Sequence, residues 1–183
     1  TYIFGSNSYS IVITILIIML LAASWISLRT TSLPRKTFML NVFFSIVIGG
    51  VAVLIIVTHG VLLIDPWYFP NIVIPLAGMI FANCMNGISL AAERLESELK
   101  QGKTYEDAKV VALRTSLIPI TNMLLAVGIV SLPGMMTGQI LSGVSPMVAV
   151  RYQVMVMCML FGSTGISVAV FLQSVRVQFT NKK

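Results

Sequence analysis

Five long, continuous apolar runs separated by short polar segments dominate the pattern of this chain. They cover about residues 9–28, 38–63, 72–92, 116–132 and 147–172. About 20 helical residues cross about 30 Å of hydrocarbon, and the runs have about that length. They are continuous rather than alternating at every second residue, which favours helices over a β-barrel. The pattern therefore predicts an all-α, polytopic transmembrane helical bundle.

An irregular segment, residues 133–146, lies between the fourth and fifth runs. It is too rich in glycine and proline for a regular span, so we predict a re-entrant or interfacial element. Such backbone persists at membrane depth only where protein or a wet cavity satisfies its polar groups. No internal repeat is visible, and we expect one membrane-spanning domain over residues 1–183.

Composition agrees with a membrane solvent, because 57% of residues are hydrophobic and only 10% are charged. The net charge of +6 comes from basic groups at residues 29–36, 94–114 and 176–183, with Arg151 as the one exception. Lysine and arginine of short loops are retained in the cytoplasm. We therefore expect these three groups on the cytoplasmic face, in contact with the lipid bilayer, with Thr1 outside and the C-terminus inside. Nucleic-acid binding is not expected.

Polar residues inside the runs are the candidates for a substrate pathway. Asn83 and Asn86 share a helix face, with Met79 and Gly87 adjoining it. At that depth the amides serve either as glue between helices or as a hydrated path. Further amides on other elements could converge with them on one polar seam: Asn122, Gln139 and Gln153.

Arg151 and the methionines each allow two interpretations. A central arginine costs about 2.5–3.5 kcal/mol, so Arg151 either snorkels to the interface or acts as a counter-charge. Methionine is a flexible filler of cores, but its thioether also binds soft ions such as copper(I). The side chains of Met155, Met157 and Met159 cannot all face one path. The candidate thioether ligands adjoin the polar or irregular elements: Met79, Met85, Met135 and Met136.

The polar segment 95–114 is predicted to be helical at both ends and broken at Gly102. Its acidic residues, with Glu93, are expected to form a solvated face rather than a catalytic pair. A helix held this way between two spans is either an ordinary connection or an element that receives force from a separate motor. Phosphate-loop, zinc-protease and serine-hydrolase motifs are absent from the sequence, so we do not expect an enzyme.

Two motifs carry a family resemblance: IPLAGMIFANCMNGISLAAERL at residues 74–95 and VSLPGMMTGQILSGVSPMVAVRYQVMVM at residues 130–157. With these, most of residues 39–175 closely resembles the FetB-type family of ABC-transporter permeases, and plant aluminium-tolerance membrane proteins are similar. The resemblance implies a bacterial cytoplasmic-membrane permease, dimeric, which exports iron or another metal ion. It implies a cytoplasmic ATPase subunit that binds ATP and magnesium, and no cofactor in this chain.

The same resemblance implies that residues 95–114 dock the ATPase. The matching residues, with the acidic pair that follows them, are Gly102, Lys103, Thr104, Glu106, Asp107 and Ala108. The family has further N-terminal spans and a longer run around Gly102. We expect both differences to be residues missing from this sequence rather than deletions.

The candidate pathway combines the polar and thioether residues: Met79, Asn83, Asn86, Asn122, Met135, Met136, Gln139, Arg151 and Gln153. Iron(II) favours carboxylate or imidazole ligands, which the spans lack. Two alternatives therefore stay open. One is an ABC permease for a lipid-linked, nucleotide-sugar or amphipathic substrate, and the other is a membrane scaffold or regulatory subunit that transports nothing.

Overall fold

The computed structural model describes residues 9–29, 31, 34–130 and 132–180, and most of these residues are helical, with no strand among them. The first helix, α1, spans Tyr9–Ser27. The second, α2, is α-helical over Arg35–Ile46 and Ala52–Ile55 and π-helical over Val47–Val51 and Ile56–Val61. The others are α3 (Pro70–Lys100), α4 (Tyr105–Ala126), α5 (Gly134–Leu141), α6 (Pro146–Ser174) and α7 (Arg176–Thr180).

Five helices, α1, α2, α3, α4 and α6, are long and apolar enough to cross a membrane. The expectation of a transmembrane bundle is confirmed. The fourth helix differs from the fourth apolar run, because α4 begins at Tyr105 and ends at Ala126. Its charged first turns are helical because Ala108 and Ala112 are buried against neighbouring helices. It ends where Val127 is extended and Gly128 takes a left-handed φ of +80°.

The spans alternate in direction, so the loops gather at two ends of the bundle. At one end the ring of Phe179 lies 5.6 Å from that of Phe38 and 6.0 Å from that of Tyr105. This end holds residues 101–104 and is called the connector end. At the opposite end the rings of Tyr9 and Tyr68 are 6.4 Å apart. The described parts of the three basic groups thus reach the same end, while residues 1–8 and 181–183 lie outside the described residues.

Helix α3 is central and packs against α1, α4 and α6. Small residues permit the closest approaches in the bundle. A Cβ added at Gly87 would lie 2.6 Å from Thr164 Cγ2, and one at Gly49 would lie 2.8 Å from the carbonyl oxygen of Ser163. Close packing of this kind drives helix association in lipid, where there is little hydrophobic gain between spans.

The irregular segment 133–146 contains a short helix, α5, which packs on α6 at the opposite end. Pro133 precedes the helix, and Gly143 ends it with a φ of +89°. Met136 is its buried contact. The prediction that this segment is not a regular span agrees with the eight-residue length of α5.

Candidate functional site

A polar cavity of about 150 Å³ lies between α3, α4 and α6. Its polar lining comes from Asn83 and Asn86 of α3, Ser116 of α4 and Thr164 of α6. The remaining lining residues are Gly87, Leu90, Pro119, Ile120 and Met123. The cavity therefore places two amides and two hydroxyls inside the membrane-spanning part of the bundle.

Hydrogen bonding leaves part of this lining unsatisfied. The Asn83 amide donates to the carbonyl oxygen of Met79 at 2.8 Å, and the Ser116 hydroxyl donates to that of Leu113 at 2.9 Å. The Thr164 hydroxyl is buried and has no hydrogen-bond partner among the described residues. A buried group of this kind costs about 1–3 kcal/mol until a water or ligand satisfies it. The polar cavity is thus suited to a polar occupant.

A second cavity, of about 380 Å³, lies between α3, α5 and α6 towards the opposite end. We call it the methionine cavity, because Met79, Met135 and Met155 reach it from three different helices. Gln139 also lines it, and the side-chain oxygen of this residue is buried without a hydrogen-bond partner among the described residues. The other lining residues are Leu62, Ile64, Asn71, Ile72, Pro75, Leu76 and Tyr152.

The two cavities follow one another along a single face of α3. Ile72, Leu76 and Met79 line the methionine cavity, and Asn83, Asn86 and Leu90 line the polar cavity. These positions recur every three or four residues, as one face of an α-helix requires. From residue 72 to residue 90 the helix rises about 27 Å, close to the hydrocarbon thickness of about 30 Å. A stripe of cavity-lining positions therefore extends along α3 for nearly the depth of a bilayer.

Helices α3 and α4 are joined by a connector, residues 101–104, at the connector end. Gly102 is exposed and has a φ of +84°, a left-handed conformation that glycine adopts without strain. Thr104 caps α4: its hydroxyl accepts from the backbone N–H of Asp107 at 3.3 Å and donates to the Asp107 carboxylate at 2.6 Å. Glu106 and Asp107 complement the helix dipole of the first turn.

Glu98 does not belong to the solvated face that the sequence predicted. Its side chain is only 1% exposed and forms ion pairs with Arg94, at 2.6 Å, and with Lys103. The Glu98 carboxylate is buried because the chain turns back at Gly102 and brings Lys103 over the last turn of α3. Glu98 therefore ties the connector to α3.

Three contacts fasten the start of α4 to the end of α6 and to α7. The Tyr105 hydroxyl donates to the carbonyl oxygen of Leu172, and Lys109 Nζ donates to Gln173 Oε1 at 2.6 Å. Glu106 pairs with Arg176 at 3.1 Å. All three helices that enclose the polar cavity are thus linked at the connector end.

Comparison with known proteins identifies the family. The family model described as "Uncharacterised protein family (UPF0014)" matches residues 1–180. The chain belongs to the UPF0014 family. No solved structure matches it.

Curated relatives of this UPF0014 chain are membrane proteins from bacteria and plants. The UPF0014 membrane protein slr1647 of Synechocystis is 37% identical over 139 residues, which are 67% of this chain and 54% of that protein. The "Probable iron export permease protein FetB" of Escherichia coli is 28% identical over 198 residues, 100% of this chain and 74% of that protein. Protein ALUMINUM SENSITIVE 3 of Arabidopsis thaliana is 33% identical over 115 residues, 55% and 42% of the two chains. The UPF0014 chain thus spans about half the length of its Synechocystis relative.

The predicted pathway residues of the UPF0014 chain do not form one seam. Asn83 and Asn86 line the polar cavity, whereas Met79, Met135 and Gln139 line the methionine cavity. The remaining four line neither cavity: Asn122 and Arg151 are exposed, and Met136 and Gln153 are buried. Exposure of Arg151, in the second turn of α6, is compatible with the snorkelling interpretation.

Several residues that line the cavities were not predicted from the sequence. Thr164 and Ser116 gave no signal, because hydroxyls in apolar helices usually bond to carbonyls of their own helix. Met155 was not predicted as a ligand, because Met155, Met157 and Met159 alternate and cannot all face one path. Of these three, Met155 is the one that lines a cavity. Pro75 and Pro119 were the available signal, since each interrupts the hydrogen bonds of its helix and each lines a cavity.

The donors available for a metal ion are amides, hydroxyls and thioethers. Among the described residues, no group of three or more His, Cys, Asp or Glu is placed to hold a metal ion. Cys84 is buried and its sulfur accepts from the Ser167 hydroxyl at 3.3 Å, while Cys158 is exposed. A metal ion in either cavity would therefore be bound by neutral ligands.

Proposed function

We propose that this UPF0014 chain is the transmembrane permease subunit of an ATP-driven ABC exporter, with iron or another metal ion as its cargo. The observation that carries the proposal is the stripe of cavity-lining positions along α3, which extends for nearly the depth of a bilayer. A permease needs space for its substrate at successive depths of the bilayer, whereas a scaffold does not. The name of the Escherichia coli relative, "Probable iron export permease protein FetB", supports the same conclusion.

The connector is the proposed contact for a separate cytoplasmic ATPase, which would bind and hydrolyse ATP with magnesium. Gly102, Lys103 and Thr104 are exposed, as are Glu106 and Asp107, and can meet a partner. Ala108 is buried and instead positions α4. Because the connector joins α3 to α4, and the first turns of α4 contact the end of α6, a displacement here would reach every wall of the polar cavity.

This arrangement is consistent with the basic connector end lying in the cytoplasm, with the C-terminus on the same side. We propose the bacterial cytoplasmic membrane as its location and a homodimer of the permease paired with two ATPase subunits. Lysine and arginine are retained on the cytoplasmic side of short loops, which supports this orientation.

Affinity purification from native membranes in mild detergent, followed by mass spectrometry and an ATPase assay, tests the proposal. The variant is Gly102→Pro with Thr104→Ala, which removes the left-handed turn and the cap. The matched control is Gly143→Pro, because Gly143 also has a positive φ and open space around it but lies outside the connector. We expect an ATPase to accompany the parent and the control and to be lost from the connector variant.

The cargo is tested by the ATPase activity of the purified complex. Stimulation by iron(II) or another metal ion supports metal export, and stimulation by nucleotide sugars or lipid-linked sugars alone would replace that cargo. An ATPase that is absent from the parent sample, or present but never stimulated, would contradict the permease proposal.

A further inference from the structure

The methionine cavity has the composition of a site for a soft metal ion. Met79 of α3, Met135 of α5 and Met155 of α6 line it together. Thioethers are soft ligands and select copper(I) among the ions of the first transition row. Three such ligands from three helices can surround an ion, which three methionines on one helix could not do.

The methionines here leave space rather than fill it. Methionine usually serves as a flexible filler of irregular gaps in a core. In this cavity about 380 Å³ stays open between the three side chains and their neighbours. Filling the core is therefore not a sufficient account of why three methionines meet at this place.

The charge of the lining distinguishes between classes of ion. None of the described residues that line the methionine cavity is Asp, Glu, Lys, Arg or His. The cost of moving an ion out of water grows with the square of its charge, and only anionic ligands could compensate a divalent ion fully. Neutral thioethers in a membrane-spanning bundle therefore suit a monovalent ion better than iron(II) or manganese(II).

Gln139 supplies an independent observation. Its side-chain oxygen is buried in the cavity region and has no hydrogen-bond partner among the described residues. An unsatisfied acceptor of this kind is unfavourable, and a cation in the cavity would give it a partner. Tyr152 lines the same cavity, and aromatic rings attract cations.

We propose that the methionine cavity binds a soft monovalent metal ion, of the copper(I) and silver(I) class, through the thioethers of Met79, Met135 and Met155 with Gln139 as an oxygen ligand. This proposal rests on the proposed function only where it treats the ion as cargo. Binding itself requires neither the ATPase nor transport, so the two proposals can fail separately.

Silver(I) titrated into the detergent-purified chain by isothermal calorimetry, in chloride-free buffer, tests the site. All variants carry Cys84→Ala and Cys158→Ala, because thiolates would otherwise bind silver. Met79→Leu, Met135→Leu and Met155→Leu each nearly conserve side-chain volume. The matched controls are Met85→Leu on α3 and Met159→Leu on α6, since neither residue lines the cavity. Far-ultraviolet circular dichroism and size-exclusion elution verify that each variant is folded.

The thiol-free parent is expected to bind silver(I), and each cavity variant to bind it about tenfold more weakly or worse. The controls should keep the affinity of the parent, and iron(II) and manganese(II) should bind much more weakly than silver(I). The proposal is overturned if the thiol-free parent does not bind silver(I), if the controls lose as much affinity as the cavity variants, or if the divalent ions bind equally well. Absent silver binding together with metal-stimulated ATPase activity would remove this site and leave the permease proposal intact.

Discussion

Gly49 and Ser167 are in contact through their backbones, at the place where α2 crosses α6. A Cβ added at Gly49 would lie 2.2 Å from Ser167 Oγ and 2.6 Å from the Ser167 backbone nitrogen. Ser167 in turn donates to the Cys84 sulfur of α3, so three spans meet here. The absence of a side chain at Gly49 is thus what allows α2 to reach the centre of the bundle.

Gly49→Ala should destabilise the protein, because a methyl group cannot fit against a backbone that is itself fixed in a helix. Overpacking of this kind costs about 1–3 kcal/mol, and we expect the upper end of that range. Thermal unfolding in detergent, followed by circular dichroism, measures the loss.

The matched control is Gly162→Ala in the interior of α6, where an added Cβ meets nothing within 4 Å. Alanine is favoured over glycine in a helix by about 0.5–1 kcal/mol, so this variant should be unchanged or slightly stabilised. Equal destabilisation of both variants would show that the contact between Gly49 and Ser167 is not tight.

Under the proposed metal export, Asn83→Leu with Asn86→Leu should abolish metal resistance in cells that depend on this protein. The double change removes both amides from the polar cavity and fills part of the space between α3, α4 and α6. Growth across a range of iron concentrations measures the effect, with membrane abundance followed in parallel. Asn122→Leu is the control, because Asn122 is an exposed amide outside both cavities. Undiminished resistance in the double variant would remove the polar cavity from the pathway.

Glu98→Gln should loosen the connector. It removes the buried negative charge that pairs with both Arg94 and Lys103, so the turn around Gly102 is held to α3 by hydrogen bonds alone. Limited trypsin digestion in detergent should then cleave after Lys100 and Lys103 faster than in the parent. Glu93→Gln changes an exposed carboxylate of the same helix and should leave the rate unaltered. Identical cleavage of the Glu98 variant and the parent would mean that this residue does not restrain the connector.

The orientation of the bundle can be tested by labelling with an impermeant maleimide. In a background of Cys84→Ala and Cys158→Ala, Gln101→Cys reports on the connector and Ser142→Cys on the opposite end, since both positions are exposed. We expect Ser142→Cys to react in intact cells and Gln101→Cys only after permeabilisation. The reverse pattern would place the connector outside and exclude a cytoplasmic ATPase as its partner.

Local sequence features predicted the spans well. The length of each apolar run indicated a crossing helix, and Gly102 marked the break between α3 and α4, whereas α4 ends at Ala126, before segment 133–146 begins. The limits of α4 were less accurate, because buried alanines at 108 and 112 extend the helix into a charged segment. Hydropathy indicates only the membrane-embedded length of a helix, and not the part that continues into water.

The candidate site was predicted only in part. The spacing of Asn83 and Asn86 correctly placed them on one face, since helical periodicity is a local property. Asn122 is exposed instead of converging with them, and Met155 joins Met79 and Met135, because both outcomes depend on which helix face meets which neighbour. Glu98 is buried for a similar reason: the fold of the connector, rather than its composition, brings Lys103 over it.

The sequence by itself determined that this protein is a helical membrane bundle, that its chain breaks at Gly102, and that its basic loops alternate with loops that carry almost no basic residue. These properties follow from short stretches of chain and their transfer between water and lipid. Only the tertiary structure decided that five of the nine pathway candidates divide between two cavities, that Gly49 allows α2 to pack closely on α6, and that the start of α4 is fastened to the end of α6. Those relationships depend on contacts between residues far apart in sequence, and the pattern along any one helix leaves its partners unspecified.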